Sequence, residues 1–174
     1  EALTDATRAY CAAPDSEEAL NAVGRYAMRF FRRIARDDPR PVLMSCEDLS
    51  GHLPGRRRHP GYHAAPQIMS VIAENARHRF GEALDLVFFF STRDNDTWLR
   101  STWWQNLRST RLTDDLDRYA TRPEVATDLM QTVRAVAEAV SPARVVSEPL
   151  DLSRDRPEGP LTPLLDLVAL DPEI

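Results

Sequence analysis

Arg93 and Ser101 are the residues whose types and spacing suggest a site for an anionic ligand. Arg93 follows an apolar run that predicts a buried strand, and Ser101 comes eight positions later on a predicted helix. Because an α-helix has about 3.6 residues per turn, Ser101 falls in the second turn of this helix. A guanidinium presents a planar fork of donors to a phosphate, and a hydroxyl adds one more. The spacing therefore allows both to bind one anion; a salt-bridged Arg93 and a solvated Ser101 are the alternative.

The predicted elements that position these residues alternate between helices and strands. Apolar runs predict strands over 41–45, 83–90 and 144–148, and amphipathic periodicity predicts helices over 2–10, 15–36, 66–80, 96–108, 121–140 and from 162 onward. The run over 83–90 is apolar almost throughout, which predicts a strand covered on both faces, as in a parallel sheet between helices. This order predicts an α/β fold. Ligands of such folds bind beyond the carboxyl ends of the strands, where Arg93 is predicted to lie.

Composition narrows the possible functions. The chain has 174 residues, of which 43% are hydrophobic, and this suits one compact domain. A net charge of −5 argues against a broad nucleic-acid surface, and we see neither a membrane span nor a secretory signal. Two cysteines are too few for a disulfide framework or a zinc site, so a reduced, cytoplasmic setting is expected. Lysine is absent, and all 22 basic residues are arginines.

The order of these motifs resembles the PAPS-dependent sulfotransferases, in particular a bacterial branch of that family. The family binds the 3′-phosphate of its nucleotide with an arginine at a strand end and a serine eight positions later, which Arg93 and Ser101 match. The segment PVLMSCEDLSG resembles that branch's motif of a strand followed by Ser, any residue, Glu, Asp or Asn, and Leu. The segment ARVVSEPLDL resembles its C-terminal strand. The resemblance covers about Pro41 to Glu173.

The resemblance implies a three-layer, P-loop-NTPase-like sandwich, with a mostly parallel sheet between helices, as one domain over residues 1–174. It also implies PAPS as cofactor, no metal, and transfer of a sulfuryl group to a hydroxyl of a carbohydrate or other small metabolite. The family's first strand and Lys-containing phosphosulfate loop should precede Asp15, but the sequence does not contain them. We expect them to lie N-terminal to Glu1. A non-catalytic nucleotide-binding remnant or interaction domain of the same fold is the alternative.

Glu47 is the predicted general base. It follows the strand predicted at 42–45, which places it at the same sheet edge as Arg93, and some branches of the family use a glutamate at this motif position. A glutamate that caps a turn is the alternative. Ser45, at the end of the same predicted strand, either orients the ligand or binds the backbone.

The segment after Gly51 is predicted to be a long loop, because it is rich in Gly, Pro, His and Arg and poor in apolar residues. His52, His63 and Arg57 are its predicted acceptor-binding residues, and exposed, solvated side chains are the alternative. A zinc site formed with His59 is not expected, because the intervening Pro and Gly residues do not hold a ligand geometry. The sequence leaves the acceptor and the oligomeric state open.

Three tryptophans share the helix that follows Arg93. Trp103 falls on a stripe with Leu99 and Leu107 that is predicted to face the core. Trp98 is predicted either to flank the nucleotide or to pack beneath the long loop.

Overall fold

Helices make up most of the structure, and a small parallel sheet lies among them. The computed structural model describes residues 2–55, 61–125 and 128–168, and over these ranges the chain is a mixed α/β protein. The helices of these ranges are α1 (Ala2–Ala12), α2 (Glu17–Phe31), α3 (Ala65–Phe80), α4 (Asn95–Ser109), α5 (Leu116–Ala120), α6 (Leu129–Val140), α7 (Leu150–Ser153) and α8 (Thr162–Val168). The strands are β1 (Val87–Thr92) and β2 (Arg144–Pro149), and 3₁₀ turns cover Glu47–Ser50, Pro123–Val125 and Gly159–Leu161. None of the helices described is long and apolar enough to cross a membrane.

Polar side chains determine where helices begin. At the start of α2, the Ser16 side chain accepts a hydrogen bond from the backbone N–H of Ala19. At the start of α4, Asp94 accepts from the backbone N–H groups of Asp96 and Thr97. These bonds satisfy donors that have no partner inside the helix. As a result, α4 begins directly after the residue that follows Arg93.

Two predicted helix boundaries are wrong. The helix predicted over 121–140 begins only at Leu129, because Asp128 accepts hydrogen bonds from the backbone N–H groups of Met130 and Gln131 and so caps a new helix there. The residues before it form the 3₁₀ turn Pro123–Val125. The helix predicted over 15–36 ends at Phe31.

The apolar core is built around α3, which packs against α2 and α6. Its buried side chains include Val23 and Ala27 on α2, Ile68, Ile72 and Ala76 on α3, and Val136 and Val140 on α6. Full burial of a Val or Ile side chain stabilises a fold by roughly 1.5–3 kcal/mol. The ends of α3 and α6 are also joined by a hydrogen bond, in which the Arg77 Nη2 donates to the Val140 carbonyl oxygen at 2.6 Å.

β1 and β2 pair in parallel, with Val87 opposite Arg144 and Thr92 opposite Pro149. The carboxyl ends of both strands therefore meet at one edge of the sheet. The strands predicted over 83–90 and 144–148 are confirmed, although β1 begins and ends later than predicted. The expected burial of β1 on both faces is not found, because its apolar residues from Val87 to Phe90 are only half-buried.

The third predicted strand, over 41–45, does not form. Pro41–Cys46 has no regular structure, and the side chains of Val42 and Leu43 are 55% and 54% exposed. A strand is stabilised by hydrogen bonds to a neighbouring strand, and within the described ranges no strand pairs with this segment. The sheet described here therefore has two strands and not the three that the sequence predicts.

α4 buries a different face from the predicted one. Its buried side chains are Trp98, Thr102 and Asn106, whereas the predicted stripe through Trp103 is only half-buried. Polar residues can occupy the buried face because Asn106 has hydrogen-bond acceptors there: its Nδ2 donates to the Pro54 carbonyl oxygen and to the Tyr119 hydroxyl oxygen. This buried polar cluster joins the first residues of the long loop to α4 and α5.

Candidate functional site at the carboxyl end of the sheet

A cleft of about 1240 Å³ runs along β1. Its walls come from β1, from the segment Pro41–Cys46 and from α2, α3, α6 and α8. Much of the lining is apolar and includes Phe30, Ile72, Val133 and Leu164, each from a different helix. Arg93, at the end of β1, lines this cleft together with Glu47 and Tyr62.

Arg93 lies immediately after β1 and lines the cleft. Its side chain is exposed and forms no hydrogen bond or ion pair with any other described residue. Arg40 also lines the cleft, but its Nη2 lies 2.6 Å from Oδ2 of Asp38, so its charge already has a partner. Because no acceptor of Arg93 occurs among the described residues, its guanidinium remains available to an anionic ligand.

Glu47 begins the 3₁₀ turn that follows Pro41–Cys46, and it lines the same cleft. It is exposed, and no hydrogen bond or ion pair of Glu47 occurs in the described part of the chain. Its charge acts on the phenol of Tyr62, and the ring of Tyr62 packs against Trp98 with 6.1 Å between ring centroids. Glu47, Tyr62 and Trp98 thus line the same cleft as Arg93.

Tyr62 is a third polar group of this site, in addition to Arg93 and Glu47. Burial raises the pKa of its phenol above 10.0, because a buried phenolate loses its hydration. The neighbouring indole N–H of Trp98 lowers that pKa, whereas the charge of Glu47 raises it. Tyr62 therefore keeps its proton at neutral pH and can donate it in a hydrogen bond inside the cleft that it lines.

Tyr62 belongs to none of the motifs that the sequence predicts to be functional. The signal that could have found it is a lone aromatic residue between Gly61 and His63, in a segment otherwise rich in Gly, Pro, Arg and His. No helix or strand periodicity accounts for an aromatic side chain there, so a specific contact such as the one with Trp98 is the remaining reason for its presence.

Ser101 is separated from this group. It is exposed on α4 and does not line the cleft, although it lies less than one helical turn beyond Trp98. The structure thus brings Arg93 and Glu47 to one cleft and places Ser101 beside its wall. Trp98 is 8% exposed, which leaves little of its ring to stack on a base and agrees with packing beneath the loop.

Two of the loop residues predicted to bind the acceptor, His52 and His63, do not line the cleft. His52 is half-buried and donates its Nε2–H to the carbonyl oxygen of Arg8 at 3.1 Å, so its ring is directed toward α1. His63 is half-buried and does not line the cleft. Arg57 lies outside the described residues. Among the residues that are described, no three His, Cys, Asp or Glu side chains form a group that could hold a metal ion.

Comparison of the chain with protein-family models, with curated proteins and with solved structures found no match. Any statement about activity therefore rests on the chemistry of the cleft. A guanidinium with no partner among the described residues, a carboxylate and a protonated phenol that line one cleft can bind a phosphate and accept a proton from a hydroxyl.

Proposed function

We propose that the cleft, near the carboxyl end of β1, binds the adenosine 3′,5′-bisphosphate part of PAPS. In this proposal the protein is a sulfotransferase that acts on a hydroxyl of a carbohydrate or other small metabolite. The supporting observation is that Arg93 and Glu47 line one cleft, at the edge where ligands of α/β sheets bind. In this proposal the complete fold is the three-layer, P-loop-like sandwich that the sequence resembles.

Each residue has a distinct role in the proposed reaction. Arg93 holds the 3′-phosphate through two N–H groups of its guanidinium. PAPS, when bound, supplies the sulfuryl group and the adenosine bisphosphate leaving group. Glu47 accepts the proton of the acceptor hydroxyl while the new sulfur–oxygen bond forms and the bond to the 5′-phosphate oxygen breaks. Tyr62, which lines the same cleft, offers its phenolic O–H as a hydrogen-bond donor to the bound ligand.

Calorimetric titration with adenosine 3′,5′-bisphosphate tests the phosphate site. Loss of a charge-assisted bidentate contact costs about 1.5–3 kcal/mol, so we expect Arg93→Ala to weaken binding about 10- to 100-fold. Arg100→Ala is the matched control, because Arg100 is exposed on α4 and does not line the cleft. Equal binding by the parent chain and Arg93→Ala would remove Arg93 from the site.

A non-catalytic nucleotide-binding protein of the same fold is the second candidate. Residues 1–174 contain no lysine, and the resemblance implies that a lysine holds the phosphosulfate group, so this candidate describes what residues 1–174 could do by themselves. The two candidates are separated by incubating the natural full-length gene product with PAPS and a panel of sugars and phenols. Release of adenosine 3′,5′-bisphosphate that depends on an acceptor supports transfer, and tight binding without release supports the binding protein.

A further inference from the structure

α1 lies outside the cleft but contacts the turn that carries Glu47. Among the described residues of α1, none lines the cleft. The exposed Arg8 on α1 binds both carboxylate oxygens of Asp48: its Nε donates to Oδ1 at 2.9 Å and its Nη2 donates to Oδ2 at 2.8 Å. Asp48 follows Glu47 directly and belongs to the same 3₁₀ turn, Glu47–Ser50. The guanidinium of Arg8 therefore fixes the residue beside the proposed base.

This contact differs from most of the described ion pairs, which join residues close together in the chain. Only two of the described pairs join distant segments, Arg8 with Asp48 and Arg144 with Asp85. A bidentate contact restricts the orientation of a carboxylate as well as its distance, whereas an exposed ion pair adds little to stability. The contact between Arg8 and Asp48 is thus suited to hold a turn in place rather than to keep the whole protein folded.

Two further contacts join α1 to the residues after this turn. His52 donates its Nε2–H to the Arg8 carbonyl oxygen at 3.1 Å. The buried Cys11 packs against Gly51, since a Cβ placed on Gly51 would lie 3.0 Å from the Cys11 Sγ. Leu49, in the turn itself, is buried in the apolar core. The turn is therefore held from the core and from α1.

Glu47 has no such restraint of its own. It is exposed, and its carboxylate forms no hydrogen bond or ion pair with any residue that the structure describes. A general base must come within about 2.6–3.2 Å of the atom whose proton it accepts, and a misplacement of about 1 Å can lower a rate about 100-fold. The position of the Glu47 carboxylate therefore depends on the residues that hold its turn.

We propose that Arg8 is a positioning residue for Glu47, which holds the turn Glu47–Ser50 through its two contacts with Asp48 and so keeps the Glu47 carboxylate in the cleft. Arg8 does not line the cleft, so it acts only through Asp48. The inference rests on the proposed role of Glu47 as proton acceptor, and it adds α1 to the parts of the chain that the reaction requires.

The titration of Tyr62 tests the position of Glu47 without any ligand. Burial raises the pKa of the Tyr62 phenol, and the charge of Glu47 also raises it. Arg8→Ala should lower this pKa toward the value found in Glu47→Gln, because the released turn carries the Glu47 carboxylate away from the phenol. Loss of the Arg8 charge by itself would raise the pKa, so the sign of the change separates positioning from a direct electrostatic effect. NMR of the tyrosine ring carbons measures it, with the Tyr62 signal assigned by its absence from Tyr62→Phe.

Two control variants make this test specific. Arg144→Ala removes the other described ion pair between distant segments, in which Nη2 lies 3.1 Å from Oδ2 of Asp85, and should leave the pKa of Tyr62 unchanged. In a Glu47→Gln background, Arg8→Ala should cause no further decrease, because the displaced charge is already absent. An unchanged or higher pKa in Arg8→Ala would overturn the proposal. An equal decrease in the Glu47→Gln background would also overturn it, because Arg8 would then only keep the phenol buried.

Turnover separates this inference from the proposed function. With PAPS and the panel of sugars and phenols, Arg8→Ala should lower turnover by the full-length product about 10- to 100-fold. Its affinity for adenosine 3′,5′-bisphosphate should stay within about twofold of the parent, and its melting temperature should fall by less than about 2 °C. Equal turnover by Arg8→Ala and the parent would overturn the positioning role alone. A parent protein that turns over no acceptor would count against the proposed function, and the Tyr62 titration would still show whether Arg8 positions Glu47.

Discussion

The Asn106 side chain donates a hydrogen bond to the phenolic oxygen of Tyr119 at 2.8 Å, and both side chains are completely buried. Both also bind the Pro54 carbonyl oxygen, at 2.9 Å from Asn106 Nδ2 and 3.2 Å from the Tyr119 hydroxyl. Gly55 follows with φ +81°, and a Cβ placed on it would lie 2.6 Å from the Tyr119 oxygen. The first residues of the long loop are therefore held by a cluster that leaves room only for glycine at position 55.

We expect Gly55→Ala to destabilise the protein by about 3 kcal/mol in urea unfolding, because left-handed backbone strain of about 1–2 kcal/mol adds to overpacking of about 1–3 kcal/mol. Gly81→Ala measures the cost of the left-handed backbone strain alone, since Gly81 has φ +92° and nothing lies within 4 Å of its added Cβ. A Gly55→Ala variant that is no less stable than Gly81→Ala would show that the loop adjusts around Tyr119.

The variant Glu47→Gln should leave nucleotide binding intact and impair sulfuryl transfer. The amide keeps the size of the side chain but cannot accept the acceptor's proton, so we expect turnover by the full-length product to fall about 100- to 10,000-fold. Affinity for adenosine 3′,5′-bisphosphate should stay within about twofold of the parent, because Arg93 carries the phosphate contact. Glu82→Gln is the control, because Glu82 is exposed and outside the cleft. Unchanged turnover in Glu47→Gln would assign the base to another residue.

The titration of Tyr62 reports on the geometry of the cleft without any ligand. Glu47→Gln should lower the pKa of Tyr62, because it removes a negative charge that opposes the phenolate, and Trp98→Phe should raise it, because it removes a donor that stabilises the phenolate. Phenolate absorbance during alkaline titration measures both shifts. Shifts of the same sign, or none, would contradict the placement of the three side chains.

Stability at alkaline pH should also depend on Tyr62. Its folded pKa is raised above the ordinary value of 10.0, so the proton is held more tightly in the folded state. The resulting stability is fully present below about pH 10 and is lost as the pH rises through the folded pKa. Urea unfolding of Tyr62→Phe should therefore show a smaller loss of stability above pH 10 than the parent protein. An identical loss would show that this phenol ionises equally easily in both states.

The two thiols should differ in reactivity. Burial raises the pKa of Cys11, which is 2% exposed and packs against Gly51, whereas Cys46 is half-exposed and lines the cleft. The thiolate is the reactive form, so iodoacetamide should modify Cys46 first in the native protein. Both should react at similar rates in urea. Faster native labelling of Cys11 would mean that α1 opens readily from the 3₁₀ turn below it.

Local sequence signals predicted most helices correctly, because those signals act over one or two turns. The apolar spacing on α3 matches its buried face, and Asp94, a residue type that favours helix N-caps, caps α4. The helix start predicted at 121 was wrong because Asp128, seven residues later, caps α6.

By itself, the sequence determined the type of β1, β2 and the principal helices, and it placed Arg93 at a strand end, because periodicity and capping depend on near neighbours. Only the tertiary structure decided that Pro41–Cys46 is not a strand and that Ser101 does not line the cleft. It also decided that Tyr62 lines the cleft together with Glu47 and Trp98. Those outcomes depend on which distant segment lies beside each residue, since a strand needs a partner and a site needs convergence from separate elements.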